Sequence, residues 1–319
     1  MKKVLFFLFF FPFWLYAQDD AKYLEGAVPV IDGKVVFQKE VTVPNLTSEQ
    51  IFQRIQSWMK ERFSREGCHL VYQNAERGQL AAIGEEYIEF SRTTLALDRA
   101  HIRYQMTVRI NDHTCLAQLQ NISYTYSVVY QREPEKYEAE TWITDKYALH
   151  KGKLNRISGK FRRKTIDFAE DLFTGLDQAL GMNTPQTAQP QQVPPETAIA
   201  TPAPAPREGY QASTPDKLPE IIKSMLPESL CSLETTKGKV SVTWRGMGKL
   251  FGKDIASIAI AENSLADLSL EDGNTYLISF SRTDGEANDW MLIECRKSGE
   301  TVEEDKVIIT GEILGIWMK

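Results

Sequence analysis

Cysteine and histidine combine nucleophilic, acid–base and metal-ligating chemistry, and this 319-residue chain carries four of each. Two pairs have the types and spacing of a zinc site, Cys68-His69 and His113-x-Cys115, since thiolate sulfur and imidazole nitrogen are ligands that tetrahedral zinc prefers. Neighbouring side chains on a strand point to opposite faces, however, so Cys68 and His69 cannot easily share one ion. No metal site is expected. The cysteines divide two and two, with Cys68 and Cys115 early and Cys231 and Cys295 late. An oxidising compartment then permits one disulfide in each half, and four small buried thiols on strands is the simpler alternative. His69, His101, His113 and His150 all lie in the first half, which leaves the second without a histidine base or ligand.

A second constellation is cationic: Lys146, Lys151, Lys153, Arg156, Lys160, Arg162, Arg163 and Lys164, with no acid among them. Such a run can hold an anionic lipid or glycan. It can equally be the solvated side of an amphipathic helix, balanced by Asp167, Glu170, Asp171 and Asp177 downstream. No Gly-x-Ser-x-Gly, His-Glu-x-x-His, P-loop or Gly-x-Gly-x-x-Gly motif occurs. The acid pairs Glu85-Glu86 and Glu303-Glu304 read as solvated turns. No catalytic residue is assigned, and a non-enzymatic protein is expected.

The tract 183–215 separates the elements that must position these residues. It holds eight of the fourteen prolines among Gln, Ala and Thr, too little apolar surface to offset its ordering entropy. A disordered linker of up to roughly 100 Å is expected there. It divides the chain into a leader at 1–17, a first domain at 18–182 and a second at 216–319. Lys2 and Lys3 precede an apolar run from Val4 to Tyr16, with Ala17 at its end. That run suits a secretory signal peptide and is too short for a membrane span. The mature protein is therefore expected to be exported, soluble in the periplasm or outside the cell, and not membrane-spanning. Removing the two lysines shifts the formal charge from −6 to −8, which argues against nucleic acid as a partner.

In the first domain Lys34–Val43 reads as a strand. Thr47 can cap a following helix, with Gln50 completing a capping box and Leu46 stapled to Ile51. Ile51, Ile55, Trp58, Met59 and Phe63 form its buried stripe. Strands follow at 68–74, 79–90, 101–110 and 114–126. In the third of these Ile102, Tyr104, Met106, Val108 and Ile110 face one way, and His101, Arg103, Gln105, Thr107 and Arg109 the other. One face is expected to be core and the other polar. A long helix through Leu154, Ile157, Phe161, Phe168, Leu172, Leu176 and Leu180 closes the domain, with Gly181 at C′.

The runs YLEGAVPVIDGKVVFQKEV (23–41), IFQRIQSWMKERF (51–63), GEEYIEF (84–90) and SGKFRRKTIDF (158–168) resemble an exported bacterial domain of unknown function with a TATA-binding-protein (TBP)-like fold, over about 23–173. The resemblance implies that fold and no activity, and the fold name does not imply DNA binding.

The second domain begins with a short helix, Leu218–Met225, stopped by Pro227. Strands are expected at 239–245, 256–261, 275–281, 290–296 and 306–318, with turns at Gly246 and Gly248, Asp272-Gly273-Asn274, Asp284-Gly285 and Ser298-Gly299. This spacing suggests a small barrel or sandwich. KVSVTWRGMGKLFGKDIASIAI (239–260), YLISFS (276–281), WMLIECRK (290–297) and VIITGEILGIWMK (307–319) resemble the flavin-reductase-like, FMN-binding split barrel. The resemblance places Ser241, Thr243, Trp244 and Arg245 beside a flavin. Where that family has a phosphate-binding arginine segment, this chain has Ala261-Glu262-Asn263-Ser264, and the family's long stretch before WMLIECRK is cut to Arg282–Asp289. No bound cofactor is expected.

The fold expected is α+β: an N-terminal TBP-like antiparallel sheet with two helices on one face, a Pro-rich linker, and a C-terminal small split-barrel-like domain. The function expected is non-catalytic binding or scaffolding at the bacterial cell envelope, with an envelope protein, lipid or glycan as partner. The alternative is a flavin- or haem-type redox cofactor in the second domain.

Overall fold

The computed structural model describes residues 21–92, 97–126, 134–182, 205–268, 270–282, 289–303 and 306–319. The leader, the linker up to residue 204 and the Asp284-Gly285 turn lie outside the described residues.

A short hairpin, β1 (Val30–Ile31) and β2 (Lys34–Val35), precedes β3 (Phe37–Thr42) and α1 (Ser48–Arg62). Thr47 caps α1 with both halves of the capping box formed, its side chain accepting from the Gln50 amide and the Gln50 side chain accepting from the Thr47 amide. Strands β4 (His69–Asn74), β5 (Gln79–Arg92), β6 (Leu97–Asn111) and β7 (Thr114–Tyr126) follow. With β3 they make an antiparallel sheet ordered β3-β7-β6-β5-β4, and β8 (Glu135–Glu138) pairs with the far end of β7. Two one-turn helices, α2 (Ala139–Trp142) and α3 (Asp145–Ala148), and a hairpin of β9 (Leu149–His150) and β10 (Lys153–Leu154) lead into α4 (Ser158–Ala179). Helix α4 therefore starts four residues after Leu154. It ends as expected, with Gly181 at φ +81° and the Met182 amide donating to the Asp177 carbonyl.

Helices α1 and α4 cover one face of the sheet, where Ile102, Tyr104, Met106 and Val108 are at most 1% exposed. Gly175 lets α4 pack closely on α1: a Cβ there would lie 3.0 Å from the Trp58 indole nitrogen, a tight contact. The opposite face departs from expectation. Gln105 and Thr107 are buried there too, and Ala81, Tyr72 and Val71 meet Leu250, Phe251 and Ile255 of the second domain in a separate apolar cluster.

The second domain opens with β11 (Gln211–Ser213) and α5 (Glu220–Met225), then β12 (Leu230–Thr235), β13 (Gly238–Leu250), β14 (Lys253–Ala261), α6 (Glu262–Leu268), β15 (Thr275–Ser281), β16 (Asp289–Glu303) and β17 (Lys306–Met318). The order β17-β14-β13-β12-β15-β16 closes because β16 also pairs with β17, giving a six-stranded barrel with β11 added alongside β17. Closure pairs most of the sheet edge, and β11 takes up the stretch of β17 at Ile316–Met318 that β14 does not reach. The expected turns at Gly246-x-Gly248 and Ser298-Gly299 are instead register shifts inside continuous strands, at Trp244/Gly246 and Lys297/Gly299. Such bulges bend a strand so that it can follow a small barrel. Strand β12 was not anticipated.

The linker boundary also shifts. Residues 205–215, expected to be disordered, are part of the barrel: β11 pairs with β17, Trp317 Nε1 donates to the Ala205 carbonyl at 2.9 Å, and Tyr210 Oη donates to the Asp289 carbonyl at 3.0 Å. Proline and alanine content describes what a segment cannot bury on its own. Here an edge of the barrel supplies the hydrogen bonds and Trp317 the contact.

Candidate binding pocket of the barrel

Strand β13 alternates as a barrel strand should, with Val240, Val242 and Trp244 half-buried against the core and Ser241, Thr243 and Arg245 exposed. Trp244 meets Phe280 edge to face at 5.2 Å between centroids. Beside it an open pocket of about 500 Å³ lies between β12, β13 and the Pro227–Leu230 segment. Ser241, Thr243 and Trp244 line it and Arg245 does not, so three of the four residues singled out by sequence meet at one cavity. Sequence reasoning missed Ser229, Ser232, Ser281, Lys239 and Asp289, which line it as well. The missing signal was β12 itself, which brings Ser232 opposite Ser241.

The pocket wall is a short polar relay. Ser281 Oγ donates to Asp289 Oδ1 at 2.6 Å, and Lys239 Nζ stands 3.5 Å from Asp289 Oδ2. Cys231 lines the pocket but belongs to the buried core, and burial pushes its thiol up to about 12. A thiol is a poor nucleophile when so little of it ionises at neutral pH. The arrangement can donate and accept hydrogen bonds around an aromatic ring. It presents no activated nucleophile.

The other cysteines are likewise free, buried thiols. Burial pushes Cys115 up to about 12 and raises Cys68 and Cys295 as well. The sheet order separates Cys115 on β7 from Cys68, the residue before β4, by three strand spacings, about 14 Å. That exceeds the reach of a disulfide and also splits the Cys/His pairs. Cys231 and Cys295 oppose Phe280 and Tyr276 on either side of β15, four residues apart along it, so they do not meet either. Among the described residues no group of three His, Cys, Asp or Glu side chains could hold a metal ion.

The basic run breaks into two parts. Arg162 is fully buried, donating to the carbonyls of Tyr23, Ile143 and Leu24 and pairing with Asp145 at 2.7 Å. Lys160 reaches Asp98 at 2.7 Å and the Tyr126 hydroxyl at 2.9 Å, and Arg163 lies over the Tyr23 ring. These three hold α4 to the rest of the domain. Lys151, Lys153 and Arg156 are exposed, and Lys164 is half-buried. The Glu85-Glu86 pair is not a turn. Glu86 lies within β5, accepts from Tyr104 Oη and pairs with Arg62 at 2.8 Å. Burial, more than that carboxylate, pushes the Tyr104 hydroxyl well above its usual range.

A second cavity, of about 670 Å³, lies where the domains meet, between Phe52, Gln56, Gln73 and Asn74 on one side and Leu270, Asp272, Lys297 and Glu300 on the other. Its one buried cation is committed. Lys297 Nζ donates to the Leu270 carbonyl at 2.9 Å and to Glu300 Oε2 at 2.6 Å, and lies 3.4 Å from Asp272.

The profile of DUF4468, a domain of unknown function with a TBP-like fold, matches residues 37–125, the span from β3 to β7. A crystallised DUF4468 family protein from Bacteroides ovatus is 46% identical, with 51% of this chain and 96% of that one covered, at a TM-score of 0.48. The chain belongs to the DUF4468 family. Its DUF4468 domain is the N-terminal helix-covered sheet, and the TBP-like fold expected from the residues at 23–173 is the fold found. A TBP-like protein from Parabacteroides distasonis is 22% identical, covering 48% of this chain and 97% of that one, at a TM-score of 0.42. The styrene monooxygenase flavin reductase of Pseudomonas putida S12 is 9% identical, covering 30% of this chain and 84% of that one, at a TM-score of 0.22. Likenesses this slight add no argument to the sequence match. No curated protein matched the chain.

Proposed function

We propose that this DUF4468 protein is an exported, non-catalytic binding protein of the bacterial cell envelope, and that its ligand site is the barrel pocket. One observation carries the reading: Ser229, Ser232, Ser241, Thr243 and Ser281 line a single 500 Å³ pocket together with Trp244 and the Lys239–Asp289 pair. Pockets of this size with a few convergent polar groups are the default binding sites of proteins. Hydroxyls beside an indole suit an uncharged, hydroxyl-rich ligand such as a sugar, which both donates and accepts hydrogen bonds. Export is supported by Lys2, Lys3 and the apolar run ending at Ala17. Among the described residues no helix is long and apolar enough to cross a membrane.

Titrating neutral oligosaccharides into the full mature chain while following tryptophan fluorescence tests the site. A saturable change, lost when Ser241 and Thr243 are both replaced by Ala, is expected. A panel that produces no change, or a change indifferent to both replacements, removes the proposal. Amino-terminal sequencing of the secreted form, expected to begin at Gln18, tests export separately.

The flavin reading is favoured by one fact, that Ser241, Thr243 and Trp244 do line a pocket. Against it stands the phosphate, for which the residues present do not fit. Lys239, the lining cation, is held by Asp289, and Glu262 is exposed at the start of α6. Charge-assisted bonds contribute about 1.5–3 kcal/mol each, so lacking two weakens binding by roughly two to four powers of ten. A haem would need an axial ligand; the barrel has no histidine, and its Cys295, Tyr276 and Met291 are buried in the core away from the pocket lining. Sub-micromolar FMN binding that disappears with Thr243→Ala or Trp244→Ala would promote the redox reading over the one adopted.

A further inference from the structure

The half of the basic run that does not turn inward is gathered on one small projection. Strands β9 and β10 pair His150 with Lys153 across a tight turn at Lys151 and Gly152, both at positive φ. Its base is fixed by the Tyr147 carbonyl, which accepts from Asn155 Nδ2 at 2.7 Å and Ser158 Oγ at 3.0 Å. Lys146, Lys151, Lys153 and Arg156 are all exposed on this projection. Two apolar side chains stand out beside them, Ile157 at 58% and Tyr147 at 40% exposure. The acids on neighbouring elements are engaged elsewhere: Asp145 with Arg162 and the Gly26 amide, Asp98 with Lys160, Asp167 and Glu170 with Lys22. Among the described residues Lys151, Lys153 and Arg156 have no ion-pair partner.

We propose that this hairpin is a docking surface for an anionic lipid bilayer. The cations supply attraction to anionic headgroups, worth about fivefold in affinity for each basic residue near the surface (about 1 kcal/mol, at 1.4 per tenfold). Ile157 and Tyr147 supply what a soluble polyanion would not use, an apolar and an amphipathic group able to enter the headgroup–acyl boundary. Lysine and arginine stems can lie along that boundary while their charges stay in water. The protein as a whole is acidic, at −6 over the full sequence, so net charge does not drive the attraction; this face does, and it would set the DUF4468 domain against the membrane. The proposal is independent of the barrel pocket and survives if that pocket binds nothing.

Sedimentation of the full mature chain with vesicles tests it. Binding to phosphatidylcholine–phosphatidylglycerol vesicles is expected, with none to phosphatidylcholine alone and loss in high salt. Replacing Lys151, Lys153 and Arg156 together by Gln should lower the affinity about a hundredfold. Ile157→Ser should weaken binding without changing its salt dependence. All four positions are exposed, so the variants keep the parental circular dichroism melt, and Lys153→Gln alone gives a milder check. No binding by the parent protein, equal binding to both vesicle types, or unchanged binding by the triple variant overturns the proposal. Displacement by a soluble phosphorylated glycan with no effect of Ile157→Ser also overturns it, assigning the surface to a glycan instead.

Discussion

Two buried cations, Arg162 in one domain and Lys297 in the other, are held in different ways. In the DUF4468 domain Arg162 is wholly enclosed and donates to three backbone carbonyls, two of them about 139 residues away in sequence. In the barrel Lys297 is 6% exposed, but its acidic partners Asp272 and Glu300 are 52% and 44% exposed. The difference follows from architecture. A helix-covered sheet has termini and connections to fasten, and a guanidinium with five donors in a fixed fork can fasten several carbonyls at once. A closed barrel has fewer such ends, and its entering segment is fastened by the pairing of β11 with β17 instead. Its buried lysine leans on carboxylates that water still reaches.

That contrast sets the largest expected effect. Arg162→Met leaves three backbone carbonyls without their donor and Asp145 without its cation, and should cost about 3–5 kcal/mol in urea unfolding. Lys297→Met frees two carboxylates that water can resolvate and should cost about 1–2 kcal/mol. Equal losses would erase the distinction between the domains.

Alkaline titration probes both cores with the same group. The Cys115 and Cys231 thiols are pushed up to about 12 by burial. A raised folded pKa means that the native state holds its proton longer than the unfolded state. Their contribution is then complete below the unfolded value, near 9, and is lost as pH rises towards 12. A shift of this size corresponds to about 4 kcal/mol per thiol at most. Stability should fall over that window, and less steeply in Cys115→Ala and Cys231→Ala after correction for the cavity. A flat profile would show the thiols to be more solvated than their surroundings imply.

The contact between domains is smaller. Gly299 lies against β4, where a Cβ would come within 2.8 Å of the Gln73 carbonyl oxygen. Thr310 Oγ1 donates to the Val71 carbonyl at 2.8 Å, and Gln73 Nε2 donates to the Glu300 carbonyl at 2.9 Å. Gly299→Val should cost about 1–3 kcal/mol of docking and increase the radius of gyration by small-angle scattering, with each domain's circular dichroism unchanged. An unaltered radius would mean that the contact does not hold the domains together.

The smallest effects separate two arginines on one strand. Arg103 is exposed, and Arg103→Ala should change stability by less than about 0.5 kcal/mol. Arg109 lies over the Phe251 ring of the barrel at 5.5 Å, and its removal should cost about 1 kcal/mol. A double-mutant cycle with Phe251→Ala assigns that difference to the ring, and additivity would deny it.

Where the signal is local the sequence was sufficient. The capping box at Thr47 and Gln50, the alternation from Ile102 to Ile110 and the C′ glycine at 181 are settled by residues a few positions apart, and all three stand as read. They belong to backbone preferences and to a period of two or 3.6 residues, both of which are local. Three of the four sequence-selected barrel residues also reached a common pocket. Tertiary structure alone decided the rest. Arg162 and Lys151 are both cations in one acid-free run, and nothing nearby in sequence says that one will meet Tyr23 and Leu24 while the other meets solvent. Gln105 and Thr107 read as a solvated face, and both are buried in the packed molecule. Gly246 and Gly299 read as turns because glycine permits both a turn and a bulge, and the choice between them belongs to the partner strand. Whether a polar group is buried or a glycine bends a strand depends on what arrives from far along the chain, and that is a property of the packed molecule.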